Sequence, residues 1–226
     1  MVRPSLSAIV TQQAFSNPFA ALLPDACIST TLAIDNYYQF IHSQEQQYVA
    51  NAIEKRRNEF STGRLCTQLA LQQHKIYDAA VLIGNNREPI WPTNLTGSIS
   101  HCHDIAGAVV VDNSILPAVG IDIERLKPLK ERFVDYICTD EEKAWLNTQT
   151  GYSLDTLLLM LFSLKEAIYK CVYVATDQKL TFKDCNILPD LSRQTAQIKL
   201  SIDTDDLTVK YHLTEQHCYS CAYIAS

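Results

Sequence analysis

Asp122 and Glu124 stand two residues apart in the run Val119-Gly120-Ile121-Asp122-Ile123-Glu124, which alternates apolar and acidic residues as a β-strand does. On a strand that spacing projects both carboxylates from one face. Paired hard oxygens suit a divalent cation such as magnesium. Taken alone, the pair is better read as the solvent face of an amphipathic strand, although acids are depleted in strands. Lys165, Glu166 and Lys170 lie in an uninterrupted helical run, and Glu166 and Lys170 are one turn apart. As an isolated feature that is an i,i+4 ion pair worth about 0.2–0.5 kcal/mol. A third carboxylate beside a lysine is also what a metal–pyrophosphate site requires, since the metal takes the acid and the ammonium neutralises phosphate oxygen.

The basic candidates lie upstream. Arg56, Arg57 and Arg64 share one helical segment; Arg57 and Arg64, seven apart, point the same way, with Arg56 beside them. Arg87 sits in a proline-containing loop, and Ser100-His101 ends a strand-like run. Each is a candidate phosphate ligand and each is weak alone. His101-Cys102-His103 and Cys218-Tyr219-Ser220-Cys221 together could supply four zinc ligands. Cys218 and Cys221 fall within a strand pattern and not on a knuckle turn, so core thiols and a satisfied histidine are the stronger reading.

These residues need a scaffold to hold them. Residues 1 to about 35 read as an extended arm or short edge elements, with Pro18 and Pro24 against a helix. Gln44 to Gln73 is rich in helix formers, with Gly63 as the only breaker and an apolar stripe at Leu65, Leu69 and Gln72 with Cys66 and Ala70. Asn85 to Asn94 is loop chemistry around Pro89 and Pro92. Ala106–Val111 and Val119–Glu124 are strands, and Lys130–Asn147 is one or two helices with a capping signature at Thr139. Leu154–Tyr173 is the strongest helix, capped by Ser153 or Asp155. Ala196–Ile202 and Leu207–Leu213 flank a turn at Asp203-Thr204-Asp205-Asp206, and Tyr219–Ile224 is a further strand. Both halves run helix first and strands after.

Composition narrows the function classes. The 226 residues are 47% hydrophobic and 19% charged, enough for a real core and against bulk disorder. The longest apolar run is Leu157–Phe162, far short of a membrane span of about 20 residues. No signal peptide is expected from the N-terminal residues. A net charge of -6 argues against a general nucleic-acid binder. The eight cysteines are scattered and read as mostly buried free thiols of a cytoplasmic protein.

Four segments occur in one order: Arg56-Arg57-Asn58-Glu59-Phe60 with Gly63-Arg64; Arg87-Glu88-Pro89-Ile90-Trp91-Pro92 with Gly97-Ser98-Ile99-Ser100-His101-Cys102; Gly120-Ile121-Asp122-Ile123-Glu124; and Phe162-Ser163-Leu164-Lys165-Glu166-Ala167-Ile168-Tyr169-Lys170. Together, over roughly residues 40 to 190, they resemble the Sfp-type 4'-phosphopantetheinyl transferases, most of all the enterobactin synthetase component D group. The resemblance implies an α+β pseudo-dimeric fold: two similar helix-plus-antiparallel-sheet halves, 1–115 and 116–226, with the active site between them. It implies transfer of 4'-phosphopantetheine from coenzyme A to a serine of an apo acyl, peptidyl or aryl carrier protein, by a monomer, in siderophore or other non-ribosomal peptide or polyketide assembly.

By the same resemblance, Asp122, Glu124 and Glu166 hold magnesium. Lys170 stabilises the pyrophosphate, and Glu166 accepts the serine proton directly or through water. Arg56, Arg64 and His101 contact phosphates of coenzyme A, the 3'-phosphate included. Arg87, Glu88, Pro89, Ser100 and Leu180 line the adenine and pantetheine path. Lys165 is either a second phosphate contact or a structural ion-pair partner. Phe162 replaces a tryptophan frequent in relatives, and Asp104 a frequent glycine. An acid at 104, near the phosphates, leans toward the alternative of a catalytically degenerate coenzyme A or carrier-protein binding module. A small zinc-binding interaction protein is the other alternative.

Overall fold

A computed structural model describes residues 17–129, 132–202, 204 and 206–225. The beginning of the expected arm, Lys130, and Asp203 and Asp205 of the expected turn lie outside the described residues. The chain divides into two compact units, Met1–Val111 and Asp112–Ser226.

In the first unit a single helical turn, α1 (Phe19–Leu22), precedes β1 (Ile28–Ala33). Pro18 stands at the helix start, where its missing N–H costs nothing. β1 pairs antiparallel with β5 (Ile105–Asp112), and β4 (Leu95–His101) flanks β5 on its other side. The helical segment expected from Gln44 onward is broken into α2 (Ser43–Gln46), a 3-10 turn at Gln47–Val49, and α3 (Glu54–Gln73). Gly63 does not break α3. A Cβ there would lie 3.0 Å from Ile99 Cγ2, so the glycine lets the helix sit close to β4. The expected apolar stripe is only partly buried: Leu69 and Gln72 are half-buried, whereas every residue from Phe60 to Thr67 is buried. Asn85–Asn94 is not only loop, because β2 (Leu82–Ile83) and β3 (Pro89–Ile90) pair as a short hairpin. Arg87, at φ 71°, takes the left-handed position in its turn.

The second unit is a five-stranded antiparallel sheet packed on one long helix. The strand order is β6 (Ala118–Arg125), β10 (His217–Ile224), β9 (Leu207–Leu213), β8 (Thr195–Leu200), β7 (Cys185–Asp190). Between β6 and β7 come α4 (Arg132–Ile137), α5 (Asp140–Thr148) and α6 (Leu154–Thr176). Thr139 and Glu142 form a capping box at α5. Ser153 caps α6, and Asp155 instead accepts a bond from Leu129 N at 3.1 Å. Leu157, Leu161, Leu164, Ile168 and Cys171 of α6 meet Val209, Tyr211, Cys218 and Ala222 of the sheet in one core.

β6 lies unusually close to α6. A Cβ on Gly120 would fall 2.0 Å from Ala167 O and 2.7 Å from Cys171 N. Only a residue without a side chain allows that approach. All eight cysteines are free thiols. Cys218 and Cys221, three apart on β10, project from opposite faces, so their CxxC spacing does not make a chelating pair. Burial pushes the Cys171, Cys185 and Cys218 thiols up to about 12.

Gly120→Ala is expected to cost about 2 kcal/mol or more of stability, because the clash is with helix backbone. Urea unfolding measures it, and a loss below about 0.5 kcal/mol would mean that the strand can withdraw from the helix at little cost.

Candidate active site

The strand–helix contact at Gly120 places the acids. Gly120, Asp122 and Glu124 share one face of β6, the face toward α6. Lys170, one residue before Cys171 on α6, reaches back over the strand. Its Nζ donates to Asp122 Oδ1 at 2.8 Å and to the Ile121 carbonyl at 2.9 Å. Glu166 lies one turn earlier. Burial raises its carboxyl, Lys170 lowers it, and Asp122 raises it again. Glu124 is pushed up to about 7 by burial and by the charges of Asp122 and Glu166, against the pull of Lys127 and Lys170. Three carboxylates thus sit within one another's field on two elements of one unit. By its chemistry this oxygen donor set could hold a hard dication, which would convert the carboxylates' mutual repulsion into attraction.

Lys165 does different work. Although adjacent to Glu166, it is only 3% exposed. Its Nζ donates to Glu142 Oε2 at 2.8 Å and to the carbonyls of Ile137 (2.9 Å), Phe182 (2.6 Å) and Cys185 (2.8 Å). Glu142 is fully buried, accepting Thr139 N at 2.7 Å and Ile187 N at 2.8 Å. An ammonium has three protons, and four acceptors leave none for a phosphate. Of the two readings of Lys165, the geometry supports the structural ion-pair partner joining α6 to α5 and β7.

Glu166 and Leu180 line one cavity of about 510 Å³, together with Tyr136, Tyr169, Phe182 and Lys183. The aromatic lining was missed from the sequence. Tyr169 had a signal, since it is three residues after Glu166 on the same helical face. Phe162, at the tryptophan position, packs against Phe182 with ring centroids 5.6 Å apart.

In the first unit, Arg56, Arg64, Arg87, Pro89 and His101 line a cavity of about 190 Å³ with Glu59, Phe60, Gly63, Ile83 and Ile99. Phe60 is its floor: the Arg56 and Arg64 guanidinium carbons lie 6.0 and 5.0 Å from its ring centroid. Arg56, Phe60 and Arg64 recur every four residues, a helical spacing that the stripe reading overlooked. Arg56 Nη1 donates to His101 Nε2 at 3.2 Å; a guanidinium can only donate, so the ring proton sits on Nδ1. Arg64 is 5% exposed, and its Nη1 is buried with no hydrogen-bond partner. Burial lowers its pKa, and Glu45 opposes that shift. A desolvated guanidinium with a spare donor, in a cavity with two more arginines, is built for an anion.

Other candidates fall elsewhere. Arg57 is in phase with Arg64 along α3, but its Nη2 donates to Ala52 O at 2.9 Å and its guanidinium lies over the Tyr38 ring. Glu88 is not among the residues lining the arginine cavity: it folds over its own hairpin and accepts Asn86 N at 2.8 Å. Ser100 is buried on the face of β4 opposite Ile99 and His101. His103 is exposed in the β4–β5 turn, and the Asp104 carboxylate accepts the Cys102 thiol at 3.3 Å.

A family model described as the 4'-phosphopantetheinyl transferase N-terminal domain matches residues 44–111, and one described as the 4'-phosphopantetheinyl transferase superfamily matches residues 118–224. The chain is 31% identical over 185 residues to the 4'-phosphopantetheinyl transferase Svp of Streptomyces mobaraensis, spanning 79% of this chain and 75% of that protein. It belongs to the 4'-phosphopantetheinyl transferase superfamily.

Two further relatives extend the likeness. The 4'-phosphopantetheinyl transferase PptT of Mycobacterium tuberculosis is 36% identical over 144 residues, 64% of this chain and 63% of that protein. Enterobactin synthase component D of Escherichia coli is 33% identical over 153 residues, 67% of each chain. A holo-(acyl-carrier-protein) synthase structure from Bacillus anthracis covers 50% of this chain and 98% of its own, with a TM-score of 0.40 and 18% identity. The family models and the sequence relatives make the chain a phosphopantetheinyl transferase and do not favour the degenerate binding module.

Glu124 of this transferase has a raised pKa, so the folded metal-free protein favours its protonated form. That contribution to stability is present below the ordinary value of 4.5 and is lost as pH rises through about 7. In EDTA, the wild type should therefore lose stability relative to Glu124→Gln over that interval, read by urea unfolding at several pH values. Parallel curves for the two proteins would contradict the crowding of the carboxylates.

Proposed function

We propose that this transferase moves 4'-phosphopantetheine from coenzyme A onto a serine of apo peptidyl, aryl or acyl carrier domains, with magnesium held by Asp122, Glu124 and Glu166. The observation that carries this reading is the cluster of three mutually repelling carboxylates beside Lys170, on β6 and α6. The likeness to enterobactin synthase component D supports siderophore or other non-ribosomal peptide or polyketide synthetases as the setting. A monomer working in the cytoplasm, where coenzyme A and apo carriers meet, completes the proposal.

Each residue has a part in the step. The carrier serine Oγ attacks the phosphorus that bears the pantetheine, forming an O–P bond. The bond from that phosphorus to the bridging pyrophosphate oxygen breaks, and adenosine 3',5'-bisphosphate leaves with the electron pair. Magnesium, when bound, supplies charge neutralisation at the pyrophosphate. Glu166 accepts the serine proton, a task that suits a carboxyl raised above its usual range. Lys170, oriented by Asp122 and the Ile121 carbonyl, stabilises charge on the pyrophosphate as a point charge.

Arg56, Arg64 and His101 hold the 3'-phosphate, a role supported by the spare donor on Arg64. Arg87 and Pro89 flank the nucleotide in that cavity, and Leu180 flanks the pantetheine in the cavity that Glu166 lines.

Incubation with coenzyme A, magnesium and an apo carrier protein should add one phosphopantetheine to the carrier, read by intact mass. No adduct on several carriers of different classes would overturn the proposal. Asp122→Ala should abolish turnover while retaining the wild-type circular dichroism spectrum. Millimolar magnesium should raise the melting temperature of the wild type and not of Asp122→Ala; full activity in that variant would refute the metal assignment.

A further inference from the structure

Glu45 carries no chemistry by motif and lies outside the four motif segments, yet it is one of the most enclosed charges in the first unit. It is fully buried on α2. Its Oε1 accepts Val81 N at 3.0 Å and lies 3.9 Å from Arg64 Nε. Its Oε2 accepts His42 N at 3.2 Å and Gln68 Nε2 at 3.3 Å. Burial raises its pKa, while Arg64 and the three hydrogen bonds lower it. Placing a carboxylate here is costly unless something requires it, because removing an ion from water costs several kcal/mol even when it is paired.

What it touches indicates the requirement. Arg64 is the buried guanidinium of the arginine cavity. With its Nε edge turned to Glu45, its Nη1 is left as the unpartnered donor. Val81 immediately precedes β2, the first strand of the hairpin whose turn carries Arg87. Tyr48, one helical turn after Glu45, accepts Ile83 N on the same strand at 3.2 Å. The segment holding Glu45 and Tyr48 thus fastens both walls of the cavity, the α3 wall at Arg64 and the hairpin wall at Arg87.

We propose that Glu45 is a positioning residue for phosphate recognition: it holds Arg64 charged and oriented so that its free edge faces the anion, and it fixes the base of the hairpin that presents Arg87. This rests on the reading of the arginine cavity as the site of the coenzyme A 3'-phosphate. The carboxylate acts through Arg64 and touches no substrate. Its loss should weaken recognition of that phosphate and leave the chemical step alone.

Steady-state kinetics with an apo acyl carrier protein, comparing coenzyme A with 3'-dephospho-coenzyme A, separates the possibilities. Glu45→Gln should raise KM for coenzyme A by about tenfold, change kcat by less than about twofold, and leave KM for 3'-dephospho-coenzyme A within about twofold. In an Arg64→Gln background, the same change should add nothing to KM for coenzyme A. Equal losses with both substrates, or full additivity with Arg64→Gln, would overturn the proposal and leave Glu45 a structural residue. If Arg64→Gln itself does not raise KM for coenzyme A, the assignment of the cavity fails instead. Should Glu45→Gln not yield folded protein, Gln68→Leu removes one donor to Glu45 Oε2 at a half-buried position. A rise in KM confined to coenzyme A supports the proposal in that variant, and an unchanged or substrate-independent KM overturns it.

Discussion

The arrangement of carboxylates in the second unit depends on a missing side chain. Gly120 lets β6 lie against the backbone of α6 at a distance no Cβ tolerates, with Ala167 O and Cys171 N occupying the space. The strand alternation then carries Asp122 and Glu124 onto the same face, while the helix brings Glu166 and Lys170 to it. A strand held farther from the helix would still be a strand, but Lys170 could not reach both Asp122 Oδ1 and the Ile121 carbonyl. Burial at that contact also leaves Glu124 near neutrality at about 7 and raises Glu166. One packing distance therefore sets the positions and the proton affinities together.

Two buried cations, Lys165 and Arg64, show how partner number separates a closed network from an open one. Lys165 has four acceptors for three protons, and its charge serves to join α6 to α5 and β7. Lys170, by contrast, is half-buried beside the carboxylates and donates to Asp122 Oδ1 and the Ile121 carbonyl. Arg64 is nearly as enclosed as Lys165, but it faces Glu45 on one edge and has an unpartnered nitrogen on the other. A buried donor without an acceptor is costly in the empty protein, and an anion that relieves the cost binds more tightly for it. Neighbouring residues of one motif thus divide: Lys165 is held in the core network, and Glu166 lines a cavity beside Lys170.

Much of the scaffold was legible from local chemistry. α6, its Ser153 cap, the Thr139–Glu142 capping box, β6 and the β8–β9 pairing follow from propensity, capping and period-two patterning. The break after α2 was not, because no local signal in the helical run from Gln44 revealed that Ala50–Ile53 would leave the helix before α3 begins. β7 was not singled out among the strands of the last forty residues, and Pro189 argues against one there, although Cys185, Ile187 and Pro189 alternate as its buried face. Its place at the end of the sheet order is where a missing N–H is tolerated. Gly63, taken for a breaker, is a packing glycine. Arg57, in phase with Arg64, is captured by a carbonyl and an aromatic ring that no helical wheel contains.

By itself, the sequence determined which residues could do this chemistry: the acid pair at strand spacing, the lysine one turn from a third acid, and the ordered segments that mark the superfamily. Those features are local, or are retained as strings, and need no coordinates. Tertiary structure decided which of them lie together. It gave Lys165 to the core and Lys170 to the carboxylates, chose Arg56 over Arg57 as the neighbour of Arg64, and set Glu45 behind Arg64. The reason is that burial and partner count are properties of packing: a charge acquires its role from the groups that surround it, and these come from distant parts of the chain.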